Sequence, residues 1–293
     1  MELINQFNDY LLDKNQVLNT RNGNIKTLIN YLAWLQKENI QPAEAIHTDI
    51  MEYINYCQEK GNKKTTINRK LLSLRHFYDY LIEEHKITLN PLTEIKLRGI
   101  IKRQPHDLLK ESELEALFEK YPDNNLIGKR NKAITGMMIY QGIDSGEIAK
   151  LQAQDLHLEQ GKIDIPASHK SNARTLELNG KQIIPLQIYV TEIRPILLAE
   201  TNKISDKLFI SSGKSEQLNN TLGSLCKRLK KLQPKVKNPT QIRLSVISHW
   251  LEKHDIRIAQ YMAGHRYVSS TERYRKDQLE SLQEQLEKLH PLE

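Results

Sequence analysis

Three features of the 293-residue sequence predict a mainly α protein of two domains with one small β-hairpin or sheet. Apolar residues recur at three- and four-residue spacing from the start to about residue 84, the period of amphipathic helices. A basic segment broken by Pro91, Gly99 and Pro105 then interrupts the pattern. Beyond it, helical stretches enclose two short runs of strand character. A chain of this length has material for about two domains, each with its own buried core.

The elements follow in order. Leu3–Leu12 is a short amphipathic stretch. Asn24–Gln36 reads as a helix, with Ile25, Leu28, Ile29, Leu32 and Leu35 on one side. Thr48–Glu59 is another, with Thr48 and Asp49 as capping residues. The clearest is Thr65–Glu84, where Ile67, Leu71, Leu74, Tyr78 and Leu81 form one stripe and Arg69, Lys70 and His76 lie opposite. The segment "KITLNPLTEIKLRGIIKRQPHDL" is the natural linker, which places a helical domain at 1–95, a basic linker at 96–108 and a second domain at 109–293.

After the linker, the residues from Lys110 to Phe118 and from Arg130 to Gln141 read as helices. Lys162–Pro166 and Thr175–Leu178 read as strands joined by a polar, glycine-poor turn. Helical patterns resume over Gln187–Glu200, Leu218–Leu232, Leu244–His254 and Ile256–Met262, the last stopped by Gly264. In the tail, Leu279, Leu282, Leu286 and Leu289 share one stripe of a helix predicted over 277–290. That stripe offers a face for a neighbouring protomer or for its own domain.

Composition narrows the function. Two distant cysteines, Cys57 and Cys226, make neither a disulfide framework nor a zinc knuckle, and a reducing cytoplasm suits them. The opening residues do not read as a secretory signal, and no apolar run approaches the ~18 residues of a membrane span. The net charge is +7. Residues 61–104 hold ten bases against four acids, and residues 217–251 hold seven bases and no acid. Two separated basic zones suit a polyanion gripped at two places. Lys63, Lys64, Arg69, Lys70, Lys102 and Arg103 represent the first zone; Lys227, Arg228, Lys230 and Lys231 represent the second. Two lobes on a basic linker could close around a duplex as a clamp, the alternative for either basic zone alone being a solvated, solubilising face.

The chain resembles the tyrosine recombinases, or phage-type integrases, over nearly its whole length. "TTINRKLLSLRHFYDYLIEEHKITLNPLTEI" is similar to the end of the family's helical, SAM-like core-binding domain. "GKRNKAITGMMIYQGIDSGEIAKLQAQDLHL" is similar to the helix pair in which the family reads Thr-Gly-Leu-Arg-x-Ser-Glu-Leu. "NPTQIRLSVISHWLEKHDIRIAQYMAGHRYVSSTERY" resembles the stretch from the family's His-x-x-Arg motif to its nucleophile. The order and spacing of the three carry the resemblance.

What the resemblance implies is DNA recombination or integration without metal or nucleotide cofactor, by a protein of the cytoplasm associated with the nucleoid. A tyrosine hydroxyl attacks a phosphodiester to give a 3′-phosphotyrosyl link, which conserves the bond energy. Cationic donors stabilise the charge on the pentacoordinate phosphorus, and a general acid protonates the leaving 5′ oxygen. In this sequence the nucleophile's position is Tyr274, the phosphate-contacting His is His265, and the arginine of His-x-x-Arg is Arg243. Glu147 matches the acid that supports the family's first arginine. Lys170 matches the hairpin lysine, with Arg174 and His169 as alternatives to it, and Arg174 also counts among the DNA-binding bases. The implied assembly is a homo-tetramer on DNA, or a pairing with another recombinase.

Two positions depart from the pattern. Asp144 stands where the family has its first arginine, and Thr240 where it has the histidine of His-x-x-Arg. A unit charge ~4 Å from the phosphate at an effective dielectric of ~20 is worth about 4 kcal/mol, so reversing its sign costs up to roughly 8, about six decades of rate. Lys150 and Arg174 are the substitutes to consider. Two functions therefore compete: a divergent recombinase cutting through Tyr274, and a catalytically weak or inactive recombinase-fold DNA binder acting as an accessory or architectural factor.

Overall fold

The structure is a computed structural model and describes residues 2–95, 97, 107–168, 171–213, 215 and 217–274. The chain divides into two compact units, 1–103 and 104–293. The expected linker lies largely outside the described residues, and so does the tail helix.

Among the described residues, the first unit holds four helices: α1 (Glu2–Asp13), α2 (Leu18–Lys37), α3 (His47–Glu59) and α4 (Lys64–Glu83). The core-facing stripe of α4 meets α2 and α1, burying Leu28, Tyr31, Leu35, Ile67, Leu71, Leu74, Phe77 and Leu81. Aromatic rings fill the centre. Tyr31 and Tyr53 stand edge to face at 4.8 Å, and the Tyr31 and Tyr78 hydroxyls share a buried hydrogen bond of 2.7 Å. Such a bond keeps two buried phenols satisfied.

Helix α2 begins six residues ahead of the expected Asn24. Its first turns are polar and carry no apolar period, but Asn24 is buried by a bond to Gln16 Oε1 and one from the Ser73 hydroxyl. Tertiary hydrogen bonds hold a turn that local pattern does not reveal. At α3, Asp49 caps from the first turn, its carboxylate accepting the Ile46 N–H at 2.8 Å.

The second unit places α6 (Leu126–Tyr140) at its centre, between α5 (Glu111–Glu119), α8 (Gly180–Ile188) and α11 (Pro239–Lys253). A four-residue α7 (Ser145–Ile148) follows α6. Next comes an antiparallel sheet of β1 (Leu156–His157), β2 (Lys162–Ile165) and β3 (Arg174–Glu177), in that order. Ile163 pairs with Leu176 and Ile165 with Arg174, so these four side chains share the buried face of the hairpin. The two-residue β1 is too short to show a period in sequence.

The helix expected over 187–200 is composite: α8, a π turn at Tyr189–Ile193, and α9 (Arg194–Thr201). Pro195 in the first turn of α9 has no N–H for the carbonyl of Thr191 and would clash with it. The wider π turn relieves that conflict. Helices α10 (Asn219–Leu232) and α12 (Ile256–Ala263) are the remaining helices among the described residues of this unit. Helix α11 starts at Pro239, five residues before the expected Leu244, because Asn238 caps it by accepting the Gln241 N–H at 2.9 Å.

Candidate active site

The site is built where four segments of the second unit converge. The first is the connection from α6 to α7. Gly142 there adopts φ +55° against the Trp250 ring, which turns the chain so that Asp144 can open α7. The Asp144 carboxylate accepts the N–H groups of Gly146 at 2.7 Å and Glu147 at 2.9 Å, and its own N–H donates to Glu147 at 3.1 Å. This is a capping box. It uses Asp144 to hold the backbone and aims Glu147 inward.

Glu147 is buried, not the exposed helical glutamate its sequence context suggests. Its carboxylate lies between two arginines. Arg174 Nη1 and Nη2 donate to its two oxygens at 2.8 and 3.1 Å, and Arg243 Nη1 donates at 3.2 Å. Burial works to raise the Glu147 carboxyl, but the hydrogen bond and charge of Arg174, then the charge of Arg243 and the Asp144 N–H, outweigh it and hold the group below the usual carboxylate range.

Arg243 reaches from the second turn of α11. Besides Glu147 it donates to the carbonyl of Gly142 through Nη1, and to that of Ala263 at 2.6 Å through Nη2. One guanidinium thus ties the α6–α7 connection to the end of α12. That end is the third segment: Gly264, at φ +68°, stops α12 in the left-handed conformation and delivers His265.

His265 Nδ1 lies 2.9 Å from the Thr271 hydroxyl. Its ring stacks on that of Tyr274, with centroids 5.5 Å apart and planes within 16°. Burial, then the charges of Arg243 and Arg174, push the imidazole down to about 4, against a smaller upward pull from Glu147. His265 is therefore neutral at physiological pH. Tyr274 is half-buried and packs against the core of this unit.

The fourth segment is the hairpin. Residues 171 and 265 form an isolated antiparallel bridge. The Asn172 N–H donates to the Gly264 carbonyl at 2.8 Å, and Arg266 Nη2 donates to the Ser168 carbonyl at 2.9 Å. The Tyr261 hydroxyl accepts the Thr175 N–H at 3.1 Å, pinning β3 to α12.

Tyr274, His265, Arg243 and Glu147 thus belong to one neighbourhood of the fold, joined through α7 and the Gly264 turn. Arg174, expected among surface bases for DNA, is instead turned inward with its side chain fully buried on Glu147. The reason is the β-strand period: Arg174 and Leu176 share the core face of β3. Thr240 is exposed in the first turn of α11, and Lys150 is exposed beyond α7. Lys170 and His169 lie outside the described residues, as do Lys102 and Arg103.

Lys63, Lys64 and Arg69 lie on and just before α4, and all three are exposed. Lys227, Arg228, Lys230 and Lys231 sit on α10, opposite its buried Leu222, Leu225 and Leu229. A concavity of about 510 Å³ beside the start of α7 is lined by Ser145, Lys227, Lys230 and Lys237 among others. Sequence reasoning misses Thr271, fully buried behind His265. No local pattern flags it, because its partner is set by the turn at Gly264. Among the described residues, no group of three His, Cys, Asp or Glu is placed to hold a metal ion, and no helix is long and apolar enough to cross a membrane.

Known proteins share this architecture. The phage integrase family model matches residues 107–280, and that of the phage integrase N-terminal SAM-like domain matches residues 4–85. The tyrosine recombinase XerC of Pelotomaculum thermopropionicum is 29% identical over 303 residues, covering 98% of this chain and 97% of the relative. The tyrosine recombinase XerD of Chlorobaculum tepidum is 26% identical over 292 residues, covering 97% and 95%. Among solved structures, the Tn1549 transposon integrase in complex with a circular intermediate DNA has a TM-score of 0.68 at 17% identity, covering 96% of this chain and 99% of that one. The XerH site-specific recombinase bound to difH substrate has a TM-score of 0.67 at 17% identity, covering 90% and 78%.

Proposed function

This chain belongs to the phage integrase family, and from that premise we propose that it recombines double-stranded DNA at specific sites through Tyr274. The observation that carries the reading is the stacking of His265 on Tyr274, in the same unit as the Glu147–Arg243 pair. A tyrosine serving only as packing has no need of a neutral, half-buried histidine at its face.

In the proposed reaction, Tyr274 Oη forms a bond to the scissile phosphorus while the bond from phosphorus to the 5′ oxygen breaks. The phenolic proton is lost to solvent, and the 5′ oxygen gains a proton from Lys170, the residue that matches the family's hairpin lysine. The product is a 3′-phosphotyrosyl link and a free 5′ hydroxyl. Attack by a 5′ hydroxyl of another strand reverses the step and completes the exchange, so no cofactor is consumed. Arg243 and His265 face the non-bridging oxygens, where negative charge grows. The Thr240 hydroxyl offers a hydrogen bond where the family has imidazole. The bases of α4 and α10 grip the DNA backbone, and protomers assemble on DNA as a tetramer or beside a partner recombinase.

Asp144 and Thr240 favour a second reading, in which the chain binds and shapes DNA for an active partner without cutting it. A nicked suicide duplex separates the two. The probe is a binding site selected by the protein from random-sequence DNA, nicked close to the point of cleavage. A covalent adduct with wild-type protein that disappears in Tyr274→Phe is the expected result. Tight, specific binding of the selected site with no adduct, whatever the nick position, would leave the accessory role.

A further inference from the structure

We propose that Arg174 is the second phosphate-binding guanidinium of this site, supplied by strand β3 in place of the arginine that position 144 lacks. This rests on the recombination reading above and adds a residue to it.

The first argument is what Asp144 does. Its carboxylate is committed to the N–H groups of Gly146 and Glu147, so it serves as a cap and not as a charge turned toward a substrate. The second is what Glu147 holds. The resemblance assigns this acid to the support of the missing arginine, and here its two oxygens receive a bidentate fork from Arg174. The acid has kept its partner type; the partner arrives from a residue 27 positions downstream.

The third argument is cost. Arg174 occupies a core-facing strand position, like Leu176, with its side chain fully buried. A buried ion pair at such a place is commonly no more stabilising than an apolar residue, so fold stability alone does not call for arginine. Its Nε is also buried, with no hydrogen-bond partner among the described residues. The fourth is charge. Glu147, the capping Asp144 and Arg243 alone sum to −1, and Arg174 offsets that excess of negative charge, which would otherwise repel an anionic phosphate. Finally, the segments beside Arg174 are joined by polar links: Asn172 to the Gly264 carbonyl, Arg266 to the Ser168 carbonyl, and the bridge between residues 171 and 265. The Arg174 guanidinium is fully buried, so its contact with a phosphate requires this site to open when DNA binds.

The test uses the full chain and the nicked, selected duplex already described. Arg174→Gln should lower the rate of adduct formation by roughly 10²–10³-fold, the usual loss for one donor to a developing oxyanion, and should flatten the slope of log affinity against log salt for uncut duplex by no more than the ~1 expected of a single phosphate contact. Asp144→Arg alone should give no gain. Combined with Arg174→Gln, it should recover at least about tenfold, because Glu147 is then free to hold an arginine from position 144. A methylphosphonate at the scissile position, which removes the negative charge, should narrow the gap between wild type and Arg174→Gln. Wild-type adduct rates in Arg174→Gln overturn the inference while leaving Tyr274 chemistry intact. A loss that neither Asp144→Arg nor the neutral phosphonate recovers also overturns it, by marking Arg174 as a scaffold for Glu147. If wild-type protein forms no Tyr274-dependent adduct, the recombination reading falls and takes this inference with it.

Discussion

The α-carbon of Gly264 lies directly against the Arg174 guanidinium: a β-carbon at 264 would stand 3.0 Å from Cζ and 3.2 Å from Cδ of Arg174. The same glycine sits at φ +68°, where an L-residue costs about 1–2 kcal/mol. Gly264→Ala should therefore destabilise the second unit by about 1–3 kcal/mol, seen as a lower denaturant midpoint. It should also slow adduct formation more than its stability loss explains, since Arg174 and His265 both lean on this turn. A variant with wild-type stability and activity would mean that the close approach is not kept in solution.

Glu147 should govern the acid limb of stability. Its folded carboxyl is held below the ordinary range, so its contribution is fully present above the unfolded value of about 4.3. The contribution is lost as pH falls through the lower folded value. Glu147→Gln leaves two guanidiniums without their counter-charge and should cost about 3–5 kcal/mol at neutral pH. Urea melts across pH should show the wild type losing its advantage over the variant only below about 4.3.

His265 should act in the adjoining pH window. Its folded value of about 4 lies below the unfolded ~6.5, so the unfolded chain binds more protons between the two. Stability from this group is complete above ~6.5 and declines as pH falls toward the folded value. An NMR titration of the His265 ring protons checks the shift directly, and a midpoint near ~6.5 would remove it. Thr271→Val, which deletes the hydroxyl beside Nδ1, should move that midpoint and slow adduct formation while leaving DNA affinity unchanged.

Asp144 should matter as a cap and not as a charge. Asp144→Asn keeps an oxygen for the Gly146 and Glu147 N–H groups and should match wild type in stability and adduct rate. Asp144→Ala should cost about 1 kcal/mol and loosen Glu147. A large gain of activity from Asp144→Asn would show that the negative charge acts on the phosphate after all.

The bases of α10 should set the salt dependence of DNA binding. Replacing Lys227, Arg228, Lys230 and Lys231 by Gln should flatten the slope of log affinity against log salt by about 0.9 for each phosphate no longer neutralised. Fluorescence anisotropy on a labelled duplex reads this, and an unchanged slope would move the interface elsewhere.

Much of this protein is legible in its sequence. The stripes of α4 and α10 and the Gly264 stop are encoded by residues within a turn or two of each other. Local steric and hydrogen-bond rules therefore suffice to read them. The ordered motifs ending at Tyr274 likewise point to the chemistry. Even the inward side of Arg174 is written in the alternation Arg174-Thr175-Leu176-Glu177, though the sequence pattern alone starts that strand one residue late. What local pattern does not contain is the partner each side chain finds. Asp144 reads as a reversed charge until the turn after Gly142 makes it a cap. Glu147 reads as exposed until α7 turns it into the core. The pairing of Glu147 with Arg174 spans 27 residues and depends on hairpin register, the Tyr261 anchor and the missing side chain at Gly264. A buried charge takes whatever counter-charge packing brings within reach, and packing is a property of the whole unit.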